Sequence, residues 1–179
     1  DTLNGGAGRD LLAGGLGNDV IEGGSGIDRI FGQAGRDFLK GGDDKDVILG
    51  GSGSDRLLGQ SGDDILRGEG DRDLLFGAHG NDFLDGGAGN VTLDGSRGRD
   101  FLTGGVGDDV INAGDHDDQL FGQSGKDLMN GGDGDDIMRG GDGSDRMFGE
   151  AGKDDMRSEG GDDRLLGAAG NDFLDGGVG

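Results

Sequence analysis

GGAGRDLLA GGLGNDVIE GGSGIDRIF GQAGRDFLK GGDDKDVIL, residues 5–49, is one nine-residue pattern written five times without a slip of register. The frame holds to the end of the chain. Nineteen complete blocks fill residues 5–175, with DTLN (1–4) before them and GGVG (176–179) after them. A short period kept over a whole chain is the mark of a solenoid, in which each repeat buries its apolar side against its neighbours. Residues 1–179 are therefore read as a single repeat array. Because it opens and closes in mid-repeat, it is read as a piece of something longer.

Three columns carry the pattern. The sixth position is Asp in 19 of 20 cases, Val91 being the exception, and the eighth is Leu, Ile or Met in all 20. The fourth is Gly in 17 of 20, departing at Asp44, Asp71 and His116, and the first is Gly in 18 of 20, departing at Ala113 and Ser158. Glycine at the first, second and fourth positions permits positive φ and close backbone approach, so GGxGx is read as a tight turn. The three residues after the aspartate then alternate out, in, out as a very short strand with the obligate aliphatic facing inward. Two turns and two strands make a coil of 18 residues. The fold expected is all-β, a two-sheet β-solenoid of about ten coils, roughly 45–50 Å long at a strand spacing of ~4.8 Å.

Composition narrows the partners. The chain has 48 Gly, no Pro, no Cys, 30% hydrophobic residues and a net charge of −22. Such a polar, self-repelling chain falls short of the apolar burial that offsets ordering entropy. Collagen is excluded, since Gly does not recur every third residue and Pro is absent. No apolar run approaches the ~20 residues needed to cross a bilayer, so no direct membrane insertion is expected. No secretory signal is read at the first residues. The acidity disfavours nucleic acid and anionic membrane and suits a cation. Without Cys, no disulfide can staple the thin core.

The blocks, GGAGRDLLA among them, resemble the repeats-in-toxin (RTX) family, also called hemolysin-type calcium-binding repeats, whose pattern is GGxGxDxUx. The resemblance covers the whole chain and implies a right-handed parallel β-roll that binds Ca²⁺ between successive turns on one edge. It implies that carbonyls from positions two and four of one turn, with its Asp, face carbonyls from positions one and three of the turn 18 residues later, with its Asp. One such site would use Gly6, Gly8 and Asp10 with Gly23, Ser25 and Asp28; on the other edge Gly15 and Gly17 play the part of Gly6 and Gly8. The metal residues so implied are Asp10, Asp19, Asp28, Asp37, Asp46, Asp55, Asp64, Asp73, Asp82, Asp100, Asp109, Asp118, Asp127, Asp136, Asp145, Asp154, Asp163 and Asp172. Twenty sixth positions form 18 pairs one coil apart. Asp1 lacks a preceding turn and Val91 spoils two pairs, which leaves about 15 complete sites. Their ions would carry the net charge from −22 to about +8. The chain is expected to be disordered without Ca²⁺ and to fold on binding it.

Other features have plainer readings. All eight Phe occupy outward positions; Phe83, Phe101 and Phe121 share one sheet, either as a stiffening ladder or as a docking face. Lateral contacts through these rings and end-to-end contacts through open roll ends are both conceivable partners' routes. His79 and His116 are read as surface turn residues. Met129, Met138, Met147 and Met156 are read as core fillers. Arg9, Arg36, Lys45, Arg72 and Arg99 are read as tempering repulsion beside the acidic column. Asp63, Asp108, Asp117, Asp135 and Asp162 are read as surface charge that attracts calcium, some of it as ligands. No catalytic motif is found, and every carboxylate pair is explained by the repeat, so no enzyme is expected.

The resemblance implies an extracellular or cell-surface structural or adhesive module secreted by a Gram-negative bacterium through one-step (type I) export. The alternative is a non-catalytic secretion or folding module of a secreted enzyme such as a protease, lipase or alginate epimerase. An engineered array is a third reading, and the varied positions and Val91 count against it.

Overall fold

Side chains alternate across an extended chain, so an aliphatic at position eight lies on the face opposite positions seven and nine. A computed structural model, which describes all residues from Asp1 to Gly179, repeats this arrangement in 20 strands and contains no helix. Strands of six residues, Thr2–Ala7, Leu11–Leu16, Val20–Ser25, recur every nine residues as far as Asp155–Gly160; Arg164–Leu166 and Phe173–Asp175 have three each. Successive strands go to opposite sheets. The result is two parallel ten-stranded sheets, one beginning at Thr2–Ala7 and the other at Leu11–Leu16. The register is 18 residues throughout: Leu3 lies opposite Ile21, and Leu12 opposite Ile30. This is the expected β-solenoid of about ten coils.

The strands are longer than the three residues expected. The first three positions of the supposed turn stay in the ladder, with Gly6 paired to Gly24 and Ala7 to Ser25. Identical backbones stacked in parallel need only bend alike to keep their pairing, so the ladder runs through the bend. The bend itself is left-handed, with φ of 93° at Gly6 and 121° at Gly8. Where positions two and four are not Gly, the backbone is held in the same region: φ is 80° at Gln33, 74° at Asp44, 75° at Asp71 and 86° at His116.

The core is a double file. Eighth-position side chains from Ile21 to Met156 are fully buried, the four Met included, and Val91 and Ala113 complete the cluster of 18 residues. Outward rings also stack. Phe83 and Phe101 lie with centroids 5.3 Å apart and planes 6° apart, and Phe121 follows at 5.0 Å. The expected aromatic ladder is therefore formed.

Candidate metal centre

Each sixth-position aspartate stands between a left-handed residue and the start of a strand, which turns its side chain inward. Asp28, Asp46 and Asp73 are 0% exposed. The two carboxylate oxygens have different fates. One accepts a backbone N–H from the coil before: Asp28 Oδ1 from Asp10 at 2.8 Å, Asp37 Oδ1 from Asp19 at 2.8 Å, Asp118 Oδ1 from Asp100 at 2.7 Å, and so on up both edges. The other, Oδ2, is buried with no hydrogen-bond partner in 17 of the 18 predicted residues, from Asp10 to Asp163. Asp172, in the last coil, is the one that is less enclosed.

That orphaned oxygen explains the first column. A Cβ on Gly5 would stand 2.6 Å from Asp10 Oδ2, and one on Gly50 would stand 2.6 Å from Asp55 Oδ2. Gly5 and Gly50 do not have positive φ. The first position needs the missing side chain, not the left-handed backbone expected of it.

Backbone carbonyls line the contacts between successive turns. Those of Gly6 and Gly8 face Gly24 and Gly26 of the next coil, so closely that a Cβ on either glycine would strike them. On the other edge the Gly17 carbonyl faces Gly35 in the same way. Looking back, the Gly23 carbonyl lies 2.7 Å from where a Gly5 Cβ would be, and the Ser25 carbonyl accepts the Gly8 N–H at 2.8 Å. The Gly23 carbonyl oxygen and Asp10 Oδ2 thus lie around one point, the place a Gly5 Cβ would take. No three His, Asp or Glu side chains gather anywhere, so a cation held here draws most of its ligands from the backbone.

Burial sets the electrostatics. Desolvation pushes the carboxyls of Asp64 and Asp118 up to about 8, those of Asp73, Asp82, Asp127 and Asp136 to about 7, and those of Asp46, Asp55, Asp100 and Asp109 to about 6. The N–H bond from the preceding coil pulls the other way in each, and neighbouring aspartates generally add to the rise. Lys45 acts in the opposite sense on Asp82, two coils on.

Val91 takes the aspartate's place in shape alone. Its Cγ2 lies against Gly86 where Oδ2 would be, and its own N–H donates to Asp109 Oδ1 at 2.9 Å. It offers Asp73 no acceptor in return.

A second ladder was not foreseen. Fifth-position Asn and Asp side chains accept the N–H of the fifth residue one coil later: Asn18 from Arg36 at 2.9 Å, Asp63 from Asn81 at 2.8 Å, Asp108 from Lys126 at 2.9 Å, Asp135 from Lys153 at 2.8 Å. The extra acids Asp63, Asp108, Asp117 and Asp135 thus have a structural task outside the turn. The signal was in the sequence, as short acceptor side chains in column five, but only the 18-residue stacking gives it meaning. His79, at the end of the strand Leu74–His79, and His116, in a bend, are both exposed, and His116 Nδ1 lies 2.8 Å from the Asp115 carbonyl.

A family model described as the RTX calcium-binding nonapeptide repeat matches residues 1–30, 22–57, 58–93, 94–129, 121–156, 130–165 and 151–179, which together span the chain. The chain belongs to this family. No curated protein matches it. RTX repeats bind calcium, and the buried, unpartnered carboxylate oxygens of this RTX roll, with a backbone carbonyl such as that of Gly23 close by, fit a hard cation.

Proposed function

We propose that this RTX roll is a calcium-driven structural module that works outside the cell. The observation that carries the reading is the buried, orphaned Oδ2 of 17 aspartates. A buried charge without a partner is costly, and either a proton or a cation relieves it. Near neutral pH the cation is the effective choice for a chain of −22. The residues that would hold it are the sixth-position aspartates from Asp10 to Asp172, with carbonyls such as Gly6, Gly8, Gly23 and Ser25, in about 15 complete pairs. A calcium ion held by them would supply charge neutralisation. The chain's own residues do the rest: the glycines bring the carbonyls close, the Oδ1 bonds fix each carboxylate, and the aliphatic file excludes water.

Magnesium should substitute poorly, because it demands near-octahedral geometry at 2.0–2.1 Å and dehydrates reluctantly, whereas calcium accepts six to eight oxygens in looser arrangements. Folding that waits for calcium suits export. A chain made in a low-calcium cytosol stays unfolded for passage and sets in millimolar calcium outside. That behaviour suits a non-catalytic part of a secreted or surface protein, whether in an adhesin or beside an enzyme domain.

Titration of Ca²⁺ into the chelated chain, followed by circular dichroism with Mg²⁺ in parallel, tests this. A steep coil-to-β transition with calcium alone is expected. A β spectrum already complete in chelator, or an equal response to magnesium, would overturn it.

A further inference from the structure

We infer that the RTX roll carries an oxyanion-binding trough on one edge, formed by Arg36, Arg56 and Arg72, for sulfate or carboxylate groups on a ligand with an apolar face. The trough encloses about 430 Å³ and runs along four coils. One wall is the fifth-position row, Asn18, Arg36, Ser54 and Arg72; the other is the seventh-position row, Val20, Phe38, Arg56 and Leu74. Asp19, Asp37 and Asp55 line its floor.

Three observations converge on an anion. First, of the chain's 12 arginines five pair with a carboxylate, namely Arg67, Arg97, Arg99, Arg139 and Arg157, and of the seven that do not, three share this trough. None of the three trough arginines has an ion-pair partner. Second, Arg56 is held in place: its guanidinium lies 5.8 Å from the Phe38 ring centroid and 5.3 Å from that of Phe76. Stacking fixes the plane of a guanidinium and leaves its N–H edge for a bidentate grip on an oxyanion. Third, Val20, Phe38 and Leu74 are 47%, 36% and 38% exposed along the same wall, which offers an apolar strip beside the charges.

The floor makes the trough conditional. Its three aspartates belong to the proposed calcium ladder, so this inference rests on the calcium reading. With calcium on those carboxylates the guanidiniums dominate the local field; without it the floor opposes them. Anion binding should therefore require the calcium-loaded roll.

The test uses the calcium-loaded chain, with inorganic sulfate and dextran sulfate as probes of free and polymer-borne anion. Arginine Nε–Hε resonances report the contact. Sulfate is expected to shift the signals of Arg36, Arg56 and Arg72 before those of other arginines. The triple variant Arg36→Gln, Arg56→Gln, Arg72→Gln should bind dextran sulfate at least about tenfold more weakly. A control triple off the trough, Arg9→Gln, Arg146→Gln, Arg164→Gln, should change binding less than about twofold. Equal weakening in both triples would mean general charge attraction, and unchanged binding in the trough triple would mean calcium bridging; either overturns the inference, as does a uniform shift of all arginine signals. Circular dichroism of each variant in calcium separates this outcome from failure of the calcium reading, which would show as a missing β transition.

Discussion

At the scale of the residue, the sixth-position aspartate decides the behaviour of the roll, and Val91 and Asp118 test it from opposite sides. Val91 fills the pocket of an aspartate and lacks only the oxygens. Val91→Asp should restore the pairs with Asp73 and Asp109 and raise bound calcium by about two ions per chain, read by equilibrium dialysis or calorimetry. An unchanged stoichiometry would mean that the pairs are not the sites. Asp118→Asn is the converse. Its side-chain oxygen can still accept the Asp100 N–H, now at 2.7 Å, while the buried charge is gone. It should lose about two ions and melt at lower temperature in calcium, yet fold no worse in chelator at pH 7. The sequence identified these aspartates and their partners by column and resemblance. It could not reveal that each carboxylate spends one oxygen on a backbone N–H, because that bond exists only between residues 18 apart in a formed coil. The same limit hid the fifth-position ladder, where Asn18 and Asp63 look like ordinary polar turn residues until the next coil is laid on them.

At the scale of the element, the bend between strands is where glycine is needed, and for two separate reasons. Gly5 makes room for Asp10 Oδ2, whereas Gly26 has a φ of 107° and lies under the Gly8 carbonyl. Column counts alone merge these reasons, since positive φ and close backbone approach both call for glycine. Gly26→Ala adds a Cβ to a left-handed residue and drives it into that carbonyl. It should destabilise the calcium-loaded roll by about 1–3 kcal/mol, seen as a lower melting temperature and a higher calcium midpoint. The strands pose a smaller test. Phe101 is stacked between Phe83 and Phe121 on the outer face, and such pairs are worth about 0.5–1.5 kcal/mol each beyond buried area. Phe101→Ala should therefore cost about 1–3 kcal/mol by the same melting measurement, without changing calcium stoichiometry, since no phenylalanine lies in a turn gap.

At the scale of the whole molecule, protons and calcium compete for the same carboxylates, and the sign of the pH dependence follows. Burial raises the carboxyls of the column from 3.8 to about 6–8 in the roll, from Asp46 to Asp136. Unfolded, they titrate near the ordinary aspartate value. The calcium-free roll thus binds more protons than the unfolded chain between about pH 4 and pH 8, and linkage makes it less stable as pH rises across that window. The contribution is fully present below about pH 4 and gone above about pH 8. The net charge of −22 works in the same direction, because acid removes the repulsion between coils. In chelator, the chain should therefore gain β structure as pH falls from 8 to 4, with no metal present. With calcium, the dependence reverses: ions displace protons, so binding at pH 6 should release more protons than binding at pH 8.5, and the calcium midpoint should rise on acidification. Circular dichroism in chelator across that range checks the first part, and calorimetry in buffers of different ionisation enthalpy counts the protons released in the second. A chain that stayed unstructured at pH 4 and released no protons on binding calcium at pH 6 would show that the aspartates are solvated and charged in the roll, and that the oxygens buried here are not what calcium satisfies.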